Sequence, residues 1–84
     1  MDKSIYTEQY SIFCRTLRLL REEAGLTQEE VAAKLRTTQT FISKCERGER
    51  RIDLVELRAW CEPLGLDLQA FVRRFDEACA IIDK

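Results

Sequence analysis

The chain has no histidine, one proline and three glycines, and nowhere a run of about 18 apolar residues. Each absence excludes something. Without histidine, the usual general base, the usual partner of an activated nucleophile and a common zinc ligand are all missing. Cys14, Cys45, Cys61 and Cys79 lie far apart with no Cys-x-x-Cys pair, so neither a zinc site nor a disulfide framework is expected. Cys45, Cys61 and Cys79 read instead as small apolar fillers on buried helix faces. There is no glycine-rich phosphate loop and no cluster of metal-ligand residues. No enzyme, cofactor or metal is therefore expected. The lack of a long apolar run excludes a membrane-spanning helix. Met1-Asp2-Lys3-Ser4-Ile5-Tyr6-Thr7 has no signal-peptide core, so a cytoplasmic location is expected. No β-branched run alternates with period two between turn signals, and no strand is expected.

What is present suits one small all-α domain spanning residues 1–84. Such a chain buries a modest core and gains from dimerising. Its net charge is −1, a poor overall match for a polyanion. The distribution differs from the total. Residues 34–51 hold Lys34, Arg36, Lys44, Arg47, Arg50 and Arg51 against Glu46 and Glu49, while the flanking segments are net acidic. Positive charge concentrated in this way is the footprint of a localised phosphate contact.

Cap residues and glycines divide the chain into five helices. The first is expected from about Thr7 to Ala24, with Tyr10, Phe13, Leu17, Leu20 and Ala24 on one stripe and Gly25 as the stop. Thr27 and Glu30 have the spacing of a capping box for a second helix ending near Leu35, with Leu26 and Val31 placed as a hydrophobic staple. Thr38 caps a third helix that ends at Gly48. Asp53 and Glu56 make a second capping box, opening a fourth helix that buries Leu57, Trp60 and Cys61. Pro63 should end or distort that helix and Gly65 should close it. Asp67 caps a fifth helix over about residues 68–83, with Leu68, Phe71, Val72, Phe75, Cys79 and Ile82 forming its stripe.

The second and third helices, joined by two or three residues, have helix-turn-helix spacing over about residues 28–47. On the third helix, Gln39, Thr40, Ser43, Lys44 and Arg47 fall in one arc of about 140° at 100° per residue. Phe41, Ile42 and Cys45 fall opposite. The polar types suit base edges: glutamine pairs with adenine, lysine and arginine donate to guanine, and threonine offers a hydroxyl and a methyl. In such a motif the start of the second helix reaches the bases, which puts Gln39 and Thr40 first and Ser43 and Lys44 next.

From Leu17-Arg18-Leu19-Leu20-Arg21 through Gly25-Leu26-Thr27-Gln28-Glu29-Glu30-Val31-Ala32, Thr38-Gln39-Thr40-Phe41-Ile42-Ser43-Lys44-Cys45-Glu46-Arg47-Gly48 and Leu64-Gly65-Leu66-Asp67, the sequence resembles the phage Cro and repressor family and its XRE-type bacterial relatives. The resemblance spans residues 17–66. It implies a compact five-helix bundle that binds double-stranded operator DNA as a homodimer. It also implies base contacts from Gln39, Thr40 and Lys44, with Ser43 beside them. Gln28 stands where the family's glutamine meets a phosphate. Arg47, Arg50 and Arg51 stand at phosphate or minor-groove positions, and Arg36 and Thr38 border the same backbone. Glu46 and Arg21 match a structural ion pair. Arg36 departs from the family's frequent glycine, so either the turn is shaped differently or Arg36 adds a phosphate contact. Pro63 and the overall acidity depart as well.

A small transcription regulator, most simply a repressor, is the leading expectation. With no added effector domain visible, its control would come from expression level, oligomerisation or a partner. The alternative is an interaction module or antitoxin-like component that uses the same fold to bind a protein. For the homodimer, Trp60, Leu64, Leu66, Leu68, Phe71, Phe75 and Ile82 are the candidate interface, being more apolar surface than a short helix pair needs.

Overall fold

Helix ends decide the architecture. The computed structural model describes residues 3–82, and side chains over 7–81. Five helices follow one another: α1 (Lys3–Glu23), α2 (Gln28–Leu35), α3 (Gln39–Glu46), α4 (Leu54–Cys61) and α5 (Leu68–Ile82). Among the described residues there is no strand.

The local signals act as their chemistry dictates. Thr27 accepts from the Glu30 amide at 3.1 Å while the Glu30 carboxylate accepts from the Thr27 amide at 2.9 Å. Asp53 and Glu56 repeat the arrangement at 2.7 and 3.0 Å. The Asp67 carboxylate accepts from the Ala70 amide at 2.8 Å and opens α5. The last regular residue of α4 is Cys61, two before Pro63, and Gly65 turns the chain with φ 75°. Both bounds of α1 differ from expectation. The first helix starts by Lys3, because no glycine or proline interrupts residues 3–7. It ends at Glu23, which leaves Ala24 exposed in the turn. The expected end of the last helix at residue 83, and the side chain of Ile82, lie outside the described residues.

The core gathers Leu17 and Leu20 of α1, Val31 and Ala32 of α2, Ile42 and Cys45 of α3, Leu57, Trp60 and Cys61 of α4, Leu64, and Phe71 of α5. Phe13 stands between Phe71 and Phe75, ring centroids 5.6 and 6.0 Å away, and joins α1 to α5. Arg74 adds two bonds to Glu23, at 3.0 and 2.8 Å.

This packing corrects the expected dimer surface. Trp60 and Phe71 are 1% exposed and Leu64 is 7% exposed, so the monomer's own core uses them and none is free to meet a second subunit. Phe75, against Phe13, is half-buried, as are Leu66 and Leu68. An amphipathic stripe shows which side of a helix is covered and not by what. The large apolar side chains left to solvent include Leu54 and Val55 at the start of α4.

Candidate nucleic-acid interface

The site is built on the join between α2 and α3. Arg36 ends α2 in the left-handed region, φ 58° and ψ 44°. Its amide and that of Thr37 donate to Ala33 and Ala32 carbonyls at 3.2 and 2.9 Å. The arginine thus keeps the turn a glycine would make, at a backbone cost of about 1–2 kcal/mol. Thr38 accepts from the Phe41 amide at 3.1 Å and starts α3.

The inward side of α3 is locked. Arg21 donates from Nε and Nη2 to the two Glu46 oxygens at 2.6 and 3.0 Å, and from Nη1 to the Leu26 carbonyl at 2.9 Å. The side chains of Arg21 and Glu46 are only 11% and 3% exposed. The Glu46 hydrogen bond holds the Arg21 guanidinium above its ordinary value, against the opposing effect of burial. Gln28 donates from Nε2 to Glu46 at 3.0 Å, and its Oε1 accepts from Gln39 Nε2 at 2.7 Å. A continuous relay therefore runs from Arg21 of α1 through Glu46, the last residue of α3, and Gln28 of α2 to Gln39, the first residue of α3. Charged groups buried in this way depend on their partners, and here Glu46 accepts from both Arg21 and Gln28.

The outward side is open. Gln39, Thr40, Lys44 and Arg47 are exposed and Ser43 is half-buried, while Ile42 and Cys45 opposite are buried. Burial pushes the Cys45 thiol up to about 11 and also raises Cys14. Neither thiol has the low value of a reactive cysteine, and both pack as apolar groups. Phe41 is half-buried, 6.2 Å from the Trp60 ring, and packs as expected.

The residues expected at phosphates are spread around this helix. Arg36 and Thr38 are exposed at the turn, and Gln28 is half-buried at the start of α2. Arg47 donates to Glu49 at 2.7 Å and to the Ser43 hydroxyl. Arg50 reaches away to Glu56 of α4 at 2.9 and 3.3 Å and lies 5.0 Å over the Phe41 ring. Arg51 turns to α1 and stacks 4.4 Å over the Tyr10 ring. Arg50 nevertheless lines one shallow cleft with Thr38, Thr40 and Lys44, whereas Arg51 lies against Tyr10 of α1. The Arg47 hydrogen bond lowers the Glu49 carboxyl. Glu56 is lowered first by the Asp53 amide and then by Arg50. Sequence reasoning missed Glu49, Tyr10 and the second role of Glu56. Helix spacing rules say nothing of partners across a loop, and only the arginine-rich segment hinted at them.

A short helix, capped at its start, locked from inside and polar on its free side, defines a helix-turn-helix protein. The family model of the helix-turn-helix domain matches residues 12–75. An HTH-type transcriptional regulator of Sinorhizobium fredii, y4dJ, is 40% identical over 58 residues, 69% of this chain and 75% of that protein. The solved XRE-family like protein from Pseudomonas syringae pv. tomato is 36% identical with a TM-score of 0.81, covering 89% of this chain and 92% of the other. A restriction–modification controller protein, C.Esp1396I, solved as a point mutant, is 26% identical with a TM-score of 0.78 over 86% and 96% of the two chains. The chain belongs to the XRE-type family of helix-turn-helix transcriptional regulators. Its all-α architecture is that family's, whose members are regulators of transcription. No helix among the described residues is long and apolar enough to cross a membrane.

Proposed function

We propose that α3 enters the major groove of operator DNA and that the protein is a repressor, acting by occupying its site. The observation that carries this reading is the two-sidedness of α3. Its inner side is fixed through Arg21–Glu46, while Gln39, Thr40, Ser43 and Lys44 present hydrogen-bonding groups outward. Gln28 holds the Gln39 amide from behind, so the first base-reading side chain is oriented before DNA arrives. Preorganisation of that kind lowers the entropy cost of binding. Arg36 and Thr38 at the turn and Gln28 at the start of α2 border the phosphates on one side, and Arg47 borders them on the other. Arg50 and Arg51 join only by leaving Glu56 and Tyr10. The likeness to a restriction–modification controller supports a regulatory role on DNA. A cytoplasmic location follows from that role.

The deciding experiment selects bound duplexes from a random pool with wild type and Gln39→Ala in parallel. Enrichment of one motif, with preference lost at one base pair per half-site in the variant, is expected. That loss corresponds to about 1–3 kcal/mol of discrimination. No enrichment at low salt would sink the reading.

The exposed apolar patch supports a homodimer as the working unit. Leu54 and Val55 are 65% and 78% exposed, and a groove runs from them past Leu66 and Leu68. Arg58 stands on this groove with Glu62 and Asp67. Opposite charges beside one apolar strip are self-complementary about a twofold axis, where Arg58 of each copy meets the other's carboxylates. A second copy is therefore the occupant we assign. The recovered motif should then be a palindrome with half-sites about 34–36 Å apart. Val55→Glu should give a folded monomer by sedimentation. A wild type that is monomeric at micromolar concentration would remove the dimer and leave the reading of α3 standing.

A further inference from the structure

Behind the outward face of α3, a cleft of about 510 Å³ opens between α1 and the segment that follows α3. Its walls carry four arginines, Arg15 and Arg18 from α1 and Arg47 and Arg51 from the other side. Glu46, the acidic residue on its lining, is already taken up by Arg21 and Gln28. The cleft is thus strongly positive on a chain whose net charge is −1. The arginines are available. Arg15 is exposed and has no ion-pair partner among the described residues. Arg51 is stacked over Tyr10 with no carboxylate attached among the described residues. Arg18 and Arg47 are held by the exposed carboxylates Glu22 and Glu49, and exposed pairs of that kind exchange at little cost. Ser11, exposed on α1, adds a hydroxyl group to the lining. Gly48, at φ 79°, turns the chain beside the cleft in a conformation that side chains rarely adopt.

We propose that this cleft is a phosphate-binding site, with Arg15 and Arg51 as its primary ligands and Arg18, Arg47 and the Ser11 hydroxyl completing it. Guanidinium forks match phosphate oxygens in geometry as well as charge. The volume suits a group of nucleotide size. Arg47 belongs both to this cleft and to the outward face of α3, which makes the cleft an extension of that face onto α1. The phosphate is therefore either one in the DNA backbone flanking the half-site, a source that rests on the function proposed above, or one on a small free phosphate compound.

Two measurements on the full chain separate these sources. The first titrates inorganic pyrophosphate into wild type, Arg15→Gln and the charge-matched Arg73→Gln, following the Gly48 and Ser11 amides by NMR. Saturable shifts in wild type and Arg73→Gln, weakened about tenfold in Arg15→Gln, are expected. The second measures duplex affinity against salt for the same three proteins. A log–log slope about one unit shallower in Arg15→Gln, with base preference intact, identifies the DNA backbone as the source. Pyrophosphate binding with an unchanged DNA slope identifies a free phosphate compound. No saturable shift together with an unchanged slope overturns the site, and so do equal losses in Arg15→Gln and Arg73→Gln. If wild type binds no duplex, the DNA reading has failed and the pyrophosphate titration alone judges the cleft.

Discussion

Arginine–glutamate pairs stand on both sides of α3, and they differ in how much water reaches them. Inside, Arg21 and Glu46 are 11% and 3% exposed, and Arg21, Gln28 and the Leu26 carbonyl complete the set of bonds around them. Outside, Arg47 with Glu49 is 54% and 55% exposed and Arg50 with Glu56 is 44% and 33% exposed. The chemistry is the same and the consequences are opposite. A buried pair that loses one partner strands a charge in a medium that cannot solvate it. An exposed pair that loses one partner hands the other to water, or to a phosphate. The inner pair therefore holds the helix still, and the outer pairs keep arginines in reserve around it.

The largest test of this contrast is Glu46→Ala. Stability should fall by about 3–5 kcal/mol in denaturant unfolding, because Arg21 and Gln28 lose their shared acceptor. Glu49→Ala should leave the unfolding midpoint where it was. Equal effects from the two variants would erase the distinction. A smaller effect belongs to Glu49→Gln, which releases Arg47. Duplex affinity should rise by about 2- to 5-fold, more at low salt than at high, with unfolding unaffected. A fall in affinity would show that Glu49 orients Arg47 for its contact.

The smallest effect concerns acid. The carboxyls of Glu30, Glu49 and Glu56 are held below the ordinary glutamate range by backbone amides and arginines. A group with a depressed folded value contributes stability fully above its unfolded value, about 4.3, and loses that contribution as pH falls through the folded one. The melting temperature should therefore be level near neutrality and drop below about pH 4.3. Glu30→Gln with Glu56→Gln should flatten the drop while lowering the plateau. An unchanged acid limb in that double variant would assign the loss elsewhere.

Much of this fold is written in short-range chemistry. The two capping boxes, Thr27 with Glu30 and Asp53 with Glu56, need only a three-residue spacing, and both are formed. Pro63 and Gly65 likewise end α4 through their own backbones. What depends on distant partners was less legible. The stripes on α4 and α5 show Trp60 and Phe71 to be covered, but only the packed chain shows that its own core covers them, with Leu64 from the turn between the two helices. The pairing of Arg21 with Glu46 came from family resemblance and not from spacing, being 25 residues apart in sequence. The Gln28–Gln39 contact was not anticipated. Two glutamines offer donors and acceptors alike, so their residue types favour no particular partner.

The single tryptophan of the chain lies at the centre of this arrangement, 1% exposed in α4 and facing Phe41 of α3. Its place makes it a built-in optical reporter. While α3 is seated the indole is shielded from water and should emit toward the blue. Any motion that lifts α3 from α4 would wet the ring and move the emission to the red. Loosening of α3 can thus be followed in real time, without an attached dye, by the colour of one residue.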